Sequence, residues 1–326
     1  MRHSSAVAIG PLLLALAFAC LLIGAFNLPV RWIYLGSELL IAILFASSLN
    51  LLMGYGGLLS FGHAAYYALA AYTSGLLLVR LSVRMELAML AGPFVAAFGA
   101  FIFGLFIMRG NKRGEHATFL MLTLAFSQLV FAVIYKWYDV TKGDDGISGI
   151  DAAAWLADPR RYFVFVLVIV AGCLTLLYRI KSSPFGVTLQ AIRDNAQRCE
   201  FNGINIQRYQ LVAFVIAGAF AGVAGTLYAF FSGTISPQVA EWTASARPFL
   251  ANTMGGVQSF WGPVVGVLAL ELIDSQVGRL TQHSLIAVGL LAIGVGMFLP
   301  RGITGAFKDL LDHVRSPRMG DGGPPR

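Results

Sequence analysis

Apolar runs of about 20 residues, the length that crosses a bilayer, recur along the whole chain and leave little room for any other architecture. We draw ten of them, at 6–26, 33–53, 63–79, 86–108, 117–135, 161–179, 209–231, 245–258, 263–279 and 284–299. In hydrocarbon every backbone amide must find its partner inside the protein, and runs of this length do so as helices. The expected fold is an all-α polytopic membrane protein with about ten transmembrane helices. Composition agrees, with 57% hydrophobic and 12% charged residues, about half the charged content of an ordinary soluble domain. The first run, Ala6 to Phe26, exceeds the roughly 7–15 apolar residues of a signal peptide and is read as a span. Run 245–258 is short for a full crossing. It is either a span or a re-entrant half helix, which needs surrounding protein or a water-filled cavity.

The net charge of +7 would point to nucleic acid in a soluble protein, but here it reflects basic loops on the cytoplasmic side. With the N-terminus inside, the cytoplasmic segments are the N-tail, 54–62, 109–116, 180–208, 259–262 and the C-tail, and with the boundary residue Arg179 assigned inward they hold 14 of the 23 Lys and Arg residues. Both termini are then cytoplasmic. Residues 1–305 form one transmembrane domain, followed by a short tail, 306–326. Cys20, Cys173 and Cys199 have no metal-ligand spacing and read as small hydrophobes.

An internal echo accompanies this threading. Gly56-Gly57-Leu58-Leu59-Ser60-Phe61-Gly62 resembles Gly255-Gly256-Val257-Gln258-Ser259-Phe260-Trp261-Gly262, with one residue inserted. Each follows a span running inward and precedes one running outward, which reads as a parallel repeat. The alternative is that two glycine-rich turns look alike by chance.

No phosphate-binding loop G-x-x-x-x-G-K-[ST], H-E-x-x-H, C-x-x-C or G-x-S-x-G occurs, so a pump built on this chain draws its energy from elsewhere. The basic loop 180–208 is the most specific hydrophilic feature. Ser183 suits a helix N-cap, Pro184 its first position and Gly203 its end. Between them Phe185, Leu189, Ile192, Ala196 and Cys199 fall on one helical stripe. Arg193, Asp194, Gln197, Arg198 and Glu200 lie largely off it. Either this helix rests on the lipid surface, or it lays its stripe into a groove on a soluble partner.

Here the chain is similar to a known family. SPFGVTLQAIRDNAQRCEFNGINIQRYQLVAFVIAGAFAGVAGTLYA resembles the cytoplasmic coupling loop and following span of LivM-type permeases of branched-chain amino acid ABC importers. LNLLMGYGGLLSFGHAAYYALAAYT, TFLMLTLAFSQ, GDDGISGI, GGVQSFWGPVVGVLALELI and FLPRGITG extend the resemblance from about residue 33 to 305. It implies a second permease of the LivH type, two cytoplasmic ATPases that use the ATP, and a periplasmic binding protein. It also implies that Pro184, Phe185, Gly186, Ala191, Arg193, Asp194 and Gly203 belong to the element seated on an ATPase, helix 184–200. The stretch TKGDDG departs from the family's more usual Thr-Gly-Gly start of that outer motif.

That outer segment, Thr141 to Asp151, carries Asp144, Asp145 and Asp151 among Gly143, Gly146 and Gly149. EF-hand ligand spacing is missing, so no metal is expected. A glycine-rich solvated turn facing the binding protein is expected instead.

Gly218-x-x-x-Gly222, Gly262-x-x-x-Gly266, Ala221 and Gly225 suit close helix packing. Ionisable groups within spans are costly, so each needs a reason. Glu38 lies near the outer face. Glu271 and Asp274 share a helix face, with Arg279 beyond them, and fit a vestibule or a partner interface. His63 opens a span and reads as a hydrogen-bonded structural residue or a proton carrier. Thr123, Ser127 and Gln128 either hydrogen-bond a zwitterionic solute or join neighbouring helices.

The expectation is a permease subunit of an ABC importer for branched-chain or related amino acids in the inner membrane, itself not an enzyme and binding no cofactor. A urea or amide importer permease would share this architecture. A self-sufficient secondary transporter would have only Glu38, His63, Glu271 and Asp274 for ion coupling.

Overall fold

In a computed structural model of the chain, residues 29–110, 116–280, 289 and 302–306 are described. The spans expected at 6–26 and, apart from Gly289, at 284–299 lie outside these residues, as does the tail beyond 306.

The apolar runs become helices, which satisfy their backbone amides within the segment, although Pro93 and Pro248 each remove one donor from theirs. They are α1 (Val30–Asn50), α2 (His63–Leu81), α3 (Met85–Gly110), α4 (His116–Lys136), α5 (Pro159–Ser182), α6 (Pro184–Asp194), α7 (Ala196–Phe201), α8 (Ile206–Ser232), α9 (Trp242–Gly255) and α10 (Gly262–Leu280). α1 runs on into a π-helical turn, Leu51–Tyr55. Among the described residues, six helices are long and apolar enough to cross a membrane: Val30–Tyr55, His63–Leu81, Met85–Arg109, Ala117–Lys136, Pro159–Ser182 and Ile206–Ser232. The protein is a multi-pass helical membrane protein.

The chain divides into two compact units, Met1–Phe249 and Leu250–Arg326, each taken by itself. In the first, α8 is central and packs on α1, α2 and α3, while α5 packs on α1. Small residues set those distances. Cβ atoms added at Gly218 and Gly222 would lie 2.5 Å from Ala100 Cβ and 2.6 Å from Ala96 Cβ, and one at Gly225 would lie 2.0 Å from the Tyr67 carbonyl oxygen. This close approach is how apolar helices associate where lipid offers no hydrophobic drive. Buried polar groups lock the same contacts. Ser74 Oγ donates to Ala88 O at 3.0 Å and lies 3.1 Å from Thr226 Oγ1, while Tyr162 OH donates to Leu227 O at 2.6 Å. The opposite face of α3 exposes Leu90, Phe94, Phe98 and Phe101, as a bilayer-facing surface does.

At one end of this unit, called here the strand end, β1 (Ile147–Ser148) pairs antiparallel with β2 (Thr234–Ile235), Ile147 opposite Ile235 and Ser148 opposite Thr234. The opposite end carries the α1–α2 turn and the α5–α8 connection and is called the loop end.

In the second unit the end of α9 folds tightly against the start of α10. Cβ atoms at Gly255 and Gly266 would each fall 1.8 Å from a carbonyl oxygen, those of Gly262 and Ala251. Thr304 Oγ1 donates to Gly255 O at 2.6 Å. α9 has 14 residues, about 21 Å at 1.5 Å per residue, against a hydrocarbon core of about 30 Å. The segment expected at 245–258 is thus a helix of 242–255, shorter than a full crossing and shifted towards the N-terminus.

Candidate functional site

The loop end is built on a one-residue joint. α5 ends at Ser182, Ser183 turns to an extended conformation, and α6 begins at Pro184. Ser183 Oγ donates back to Ile180 O at 2.6 Å and accepts from Gly186 N at 3.3 Å, so one hydroxyl caps both helices. Gly186 sits where a Cβ would lie 2.2 Å from the Lys181 carbonyl oxygen. Only glycine lets α6 fold back so tightly. Phe185 stacks on Tyr209 of α8 at 5.6 Å.

Two expectations for this loop are corrected. Helix 184–200 is not continuous: it breaks at Asn195, whose side chain accepts from Arg198 N at 2.9 Å and starts α7 afresh. An Asn at a break outcompetes helix continuation because its short side chain satisfies the next turn's amides. Gly203, with φ of 79°, then closes α7 rather than α6. Most of the apolar stripe is also turned into the chain itself, with Phe185 half-buried and Ala196 exposed. Leu189, Ile192 and Cys199 are buried within the chain, because α6 packs on α5, α8 and the π-helical turn. The open face carries Val187, Ala191 and Asp194, and Phe201 at the end of α7 is 93% exposed.

Arg193 points inward. Its Nε and Nη2 donate to Asp194 Oδ1 at 3.0 and 2.7 Å, and its Nη1 donates to the carbonyl of Gly54 at 2.5 Å. The Gly54 carbonyl is available because the chain leaves the helix here through wide turns, Gly56 N donating to Leu51 O and Leu58 N to Leu52 O. Gly57 has φ of 66°, and a Cβ there would meet Arg193 Cγ at 2.7 Å. Lys181 Nζ lies 5.3 Å from the centre of the Tyr55 ring, within cation–π range. Neither Gly54 nor Lys181 is recognisable in this role from sequence, since neither a backbone acceptor nor a ring contact leaves a pattern.

Beyond Gly57 the chain climbs into the bundle before α2 begins. Phe61 N donates to Thr123 Oγ1 at 3.3 Å, and Thr123 lies seven residues into α4, about 10 Å from its start. A Cβ at Gly62 would fall 2.4 Å from the Thr123 carbonyl oxygen. Ser60 Oγ accepts from Gly62 N at 3.3 Å, and Ser245 Oγ on α9 accepts from Ala64 N at 2.8 Å, satisfying one of α2's free amides. His63 is fully buried, stacked on Phe45, with Nε2 2.8 Å from Ser48 Oγ. Ser48 Oγ donates to Phe45 O at 2.7 Å, so the imidazole is the donor in the Ser48 contact. Ser127 Oγ donates to Ala240 O at 3.1 Å. Thr123 and Ser127 therefore join neighbouring segments, and Gln128 Nε2 is buried without a hydrogen-bond partner among the described residues.

The segment expected as a solvated turn is a folded cap at the strand end. Gly143, Gly146 and Gly149 have φ of 53°, 69° and 80°, conformations that glycine adopts freely. Asp145 accepts from Tyr138 OH at 2.8 Å, a bond that holds the phenol above its ordinary pKa, and Asp144 accepts from Gln238 Nε2 at 3.3 Å. Ile150 N donates to Gly233 O at 3.1 Å, and the Ile150 and Ile235 side chains fill the space over Gly75. A cavity of about 420 Å³ lies beside this cap, among Tyr34, Ser37, Asp151, Tyr162 and Phe231. Glu38 is exposed on α1, and Glu271 and Asp274 are half-buried on α10.

Six bilayer-length helices among the described residues, packed through small-residue contacts and with a folded loop fastened at one end, define an integral membrane protein. The chain belongs to the family described as branched-chain amino acid transport system, permease component, whose family model matches residues 28–299. It is 25% identical to the high-affinity branched-chain amino acid transport system permease protein LivM of Escherichia coli K12, over 81% of this chain and 68% of that protein. LivM of Salmonella typhimurium gives the same identity and coverage. The corresponding LivH protein of Escherichia coli K12 is 25% identical over 80% of this chain and 90% of its own length. No solved structure matches the chain.

Proposed function

We propose that this chain is the permease subunit of a binding-protein-dependent ABC importer that carries branched-chain or related amino acids across the inner membrane. Relatives named LivM and LivH both match it, which supports pairing with a second, LivH-type permease, the solute passing between the two. Two cytoplasmic ATPases drive the cycle through the loop end, and a periplasmic binding protein delivers the solute to the strand end. Both termini then face the cytoplasm and the chain crosses the membrane about ten times. Matching turn geometry supports the parallel repeat: Gly57 and Gly256 both have positive φ. In each turn a serine accepts an amide two residues on, Ser60 from Gly62 and Ser259 from Trp261, both at 3.3 Å.

One observation carries this reading. The loop end is a capped helix pair whose exposed face holds Val187, Ala191, Asp194 and Phe201, and an exposed aromatic on a folded loop is what an interface uses as an anchor. Two protein contacts are therefore expected of the loop, one into its own bundle and one outward.

The test is purification of the tagged protein in mild detergent, followed by identification of what accompanies it. A second permease and two ATPases are expected with the wild type, and the ATPases are expected to be lost from Val187→Glu and Phe201→Asp. Recovery of the chain alone, with transport surviving both substitutions but not Glu271→Gln, would replace this reading with a self-sufficient secondary transporter.

A further inference from the structure

We infer that Arg193 is a positioning residue that ties the coupling loop to the π-helical turn Leu51–Tyr55, and is not itself a contact to the ATPase. The inference rests on the importer reading above and sharpens it. By sequence alone Arg193 is grouped with the residues seated on an ATPase. By geometry it faces the other way: its side chain is 23% exposed, whereas that of the neighbouring Asp194 is 66% exposed.

Three features converge on the same turn. The Arg193 guanidinium reaches the Gly54 carbonyl while two of its nitrogens are held by Asp194. Its aliphatic stem lies against Gly57, where even a methyl group would intrude. From the end of α5, Lys181 Nζ covers the face of Tyr55. The planar guanidinium suits this position, because one fork engages two acceptors at fixed angles. The receiving element is also unusual, since π-turns carry carbonyls outside the regular helical ladder and lie often at functional sites. The turn leads through Gly57 directly into the buried start of α2 at His63 and Ala64. Loop movement thus reaches two spans, α1 above the turn and α2 beyond it, through one side chain. Asp194 bridges the two roles: it holds the guanidinium on one side and remains accessible on the other.

The experiment compares wild type, Arg193→Ala, Arg193→Lys and Val187→Glu, each reconstituted with its second permease, ATPases and binding protein. Three quantities are measured: ATPases retained on purification, ATP hydrolysis, and solute taken up per ATP. Arg193→Ala is expected to retain ATPases at the wild-type level and to hydrolyse ATP while uptake per ATP falls tenfold or more. Arg193→Lys, which keeps the charge on a single donor nitrogen but loses the planar fork, is expected to fall between wild type and Arg193→Ala. Loss of ATPases from both Arg193 variants, as in Val187→Glu, would make Arg193 a docking residue and overturn the inference. Unchanged uptake per ATP in both would overturn it as well. Absence of ATPases from the wild type would instead refute the importer reading itself.

Discussion

Arg193 and Gly54 are 139 positions apart in the chain, and the guanidinium of one donates to the carbonyl of the other. The bond joins the connection between α5 and α8 to the end of α1, two regions that share no helix. It is charge-assisted and partly buried, the kind of bond that contributes about 1.5–3 kcal/mol. The loop is therefore a fixed part of the bundle as well as a surface feature.

The glycine beneath that arginine is expected to tolerate no side chain. Gly57→Ala forces an L residue into left-handed space, at about 1–2 kcal/mol, and adds a contact 2.7 Å from Arg193 Cγ. Gly149 also has positive φ, but nothing lies within 4 Å of a Cβ placed there. Melting of the detergent-solubilised protein should show Gly57→Ala clearly less stable than Gly149→Ala. Equal losses would mean that backbone conformation alone matters at position 57.

Ser245 is completely buried and holds the amide of Ala64. Ser245→Ala leaves that amide without an acceptor inside the bundle and should cost about 1 kcal/mol or somewhat more. Thermal unfolding measures the loss directly. A melting temperature unchanged from wild type would show that α2 does not depend on this cap.

Helix packing gives a paired comparison. Gly225→Ala places a methyl group 2.0 Å from the Tyr67 carbonyl oxygen and must push α8 from α2, whereas a methyl group at Gly172 meets nothing within 4 Å. Overpacking of this kind costs about 1–3 kcal/mol. The folded yield on size-exclusion chromatography should drop for Gly225→Ala and hold for Gly172→Ala.

His63 is a donor to Ser48 in a fully buried position. His63→Gln preserves a side-chain N–H of similar reach, so uptake should persist with its pH profile unchanged between about pH 5 and 8, the range in which an accessible histidine titrates. His63→Leu removes the donor and should lower stability by about 1 kcal/mol. If His63→Gln abolished uptake while the protein stayed folded, a proton-carrying role would return.

Much of the bundle was legible beforehand because it depends on run length. Six of the expected spans have counterparts among the bilayer-length helices, within a few residues at each end. Caps were legible too, since Ser183 and Pro184 act locally. What escaped was decided between distant segments. The stripe Leu189, Ile192 and Cys199 reads the same whether it meets a partner or its own chain; packing on α5 and α8 decided it. The break at Asn195 turned on one side chain choosing a new amide. The pairing of residues 147–148 with 234–235 involves two residues per strand, too few to leave a period-two pattern. Ser245 looked like any serine in an apolar run until its neighbour across the bundle was known.

That small strand pair has a mechanical consequence. β2 is followed within two residues by the turn Pro237–Ala240, which Ser127 grips at the Ala240 carbonyl, and then by α9 with its serine on the first turn of α2. Gln238 and Asp144 add a second stitch between the cap and the same turn. The cap and the root of α2 are thus two ends of one short tether with no slack segment between them. A load applied to the exposed surface of the cap would arrive at His63 and Ala64 from above, at the place where the tug of Arg193 on Gly54 arrives from below.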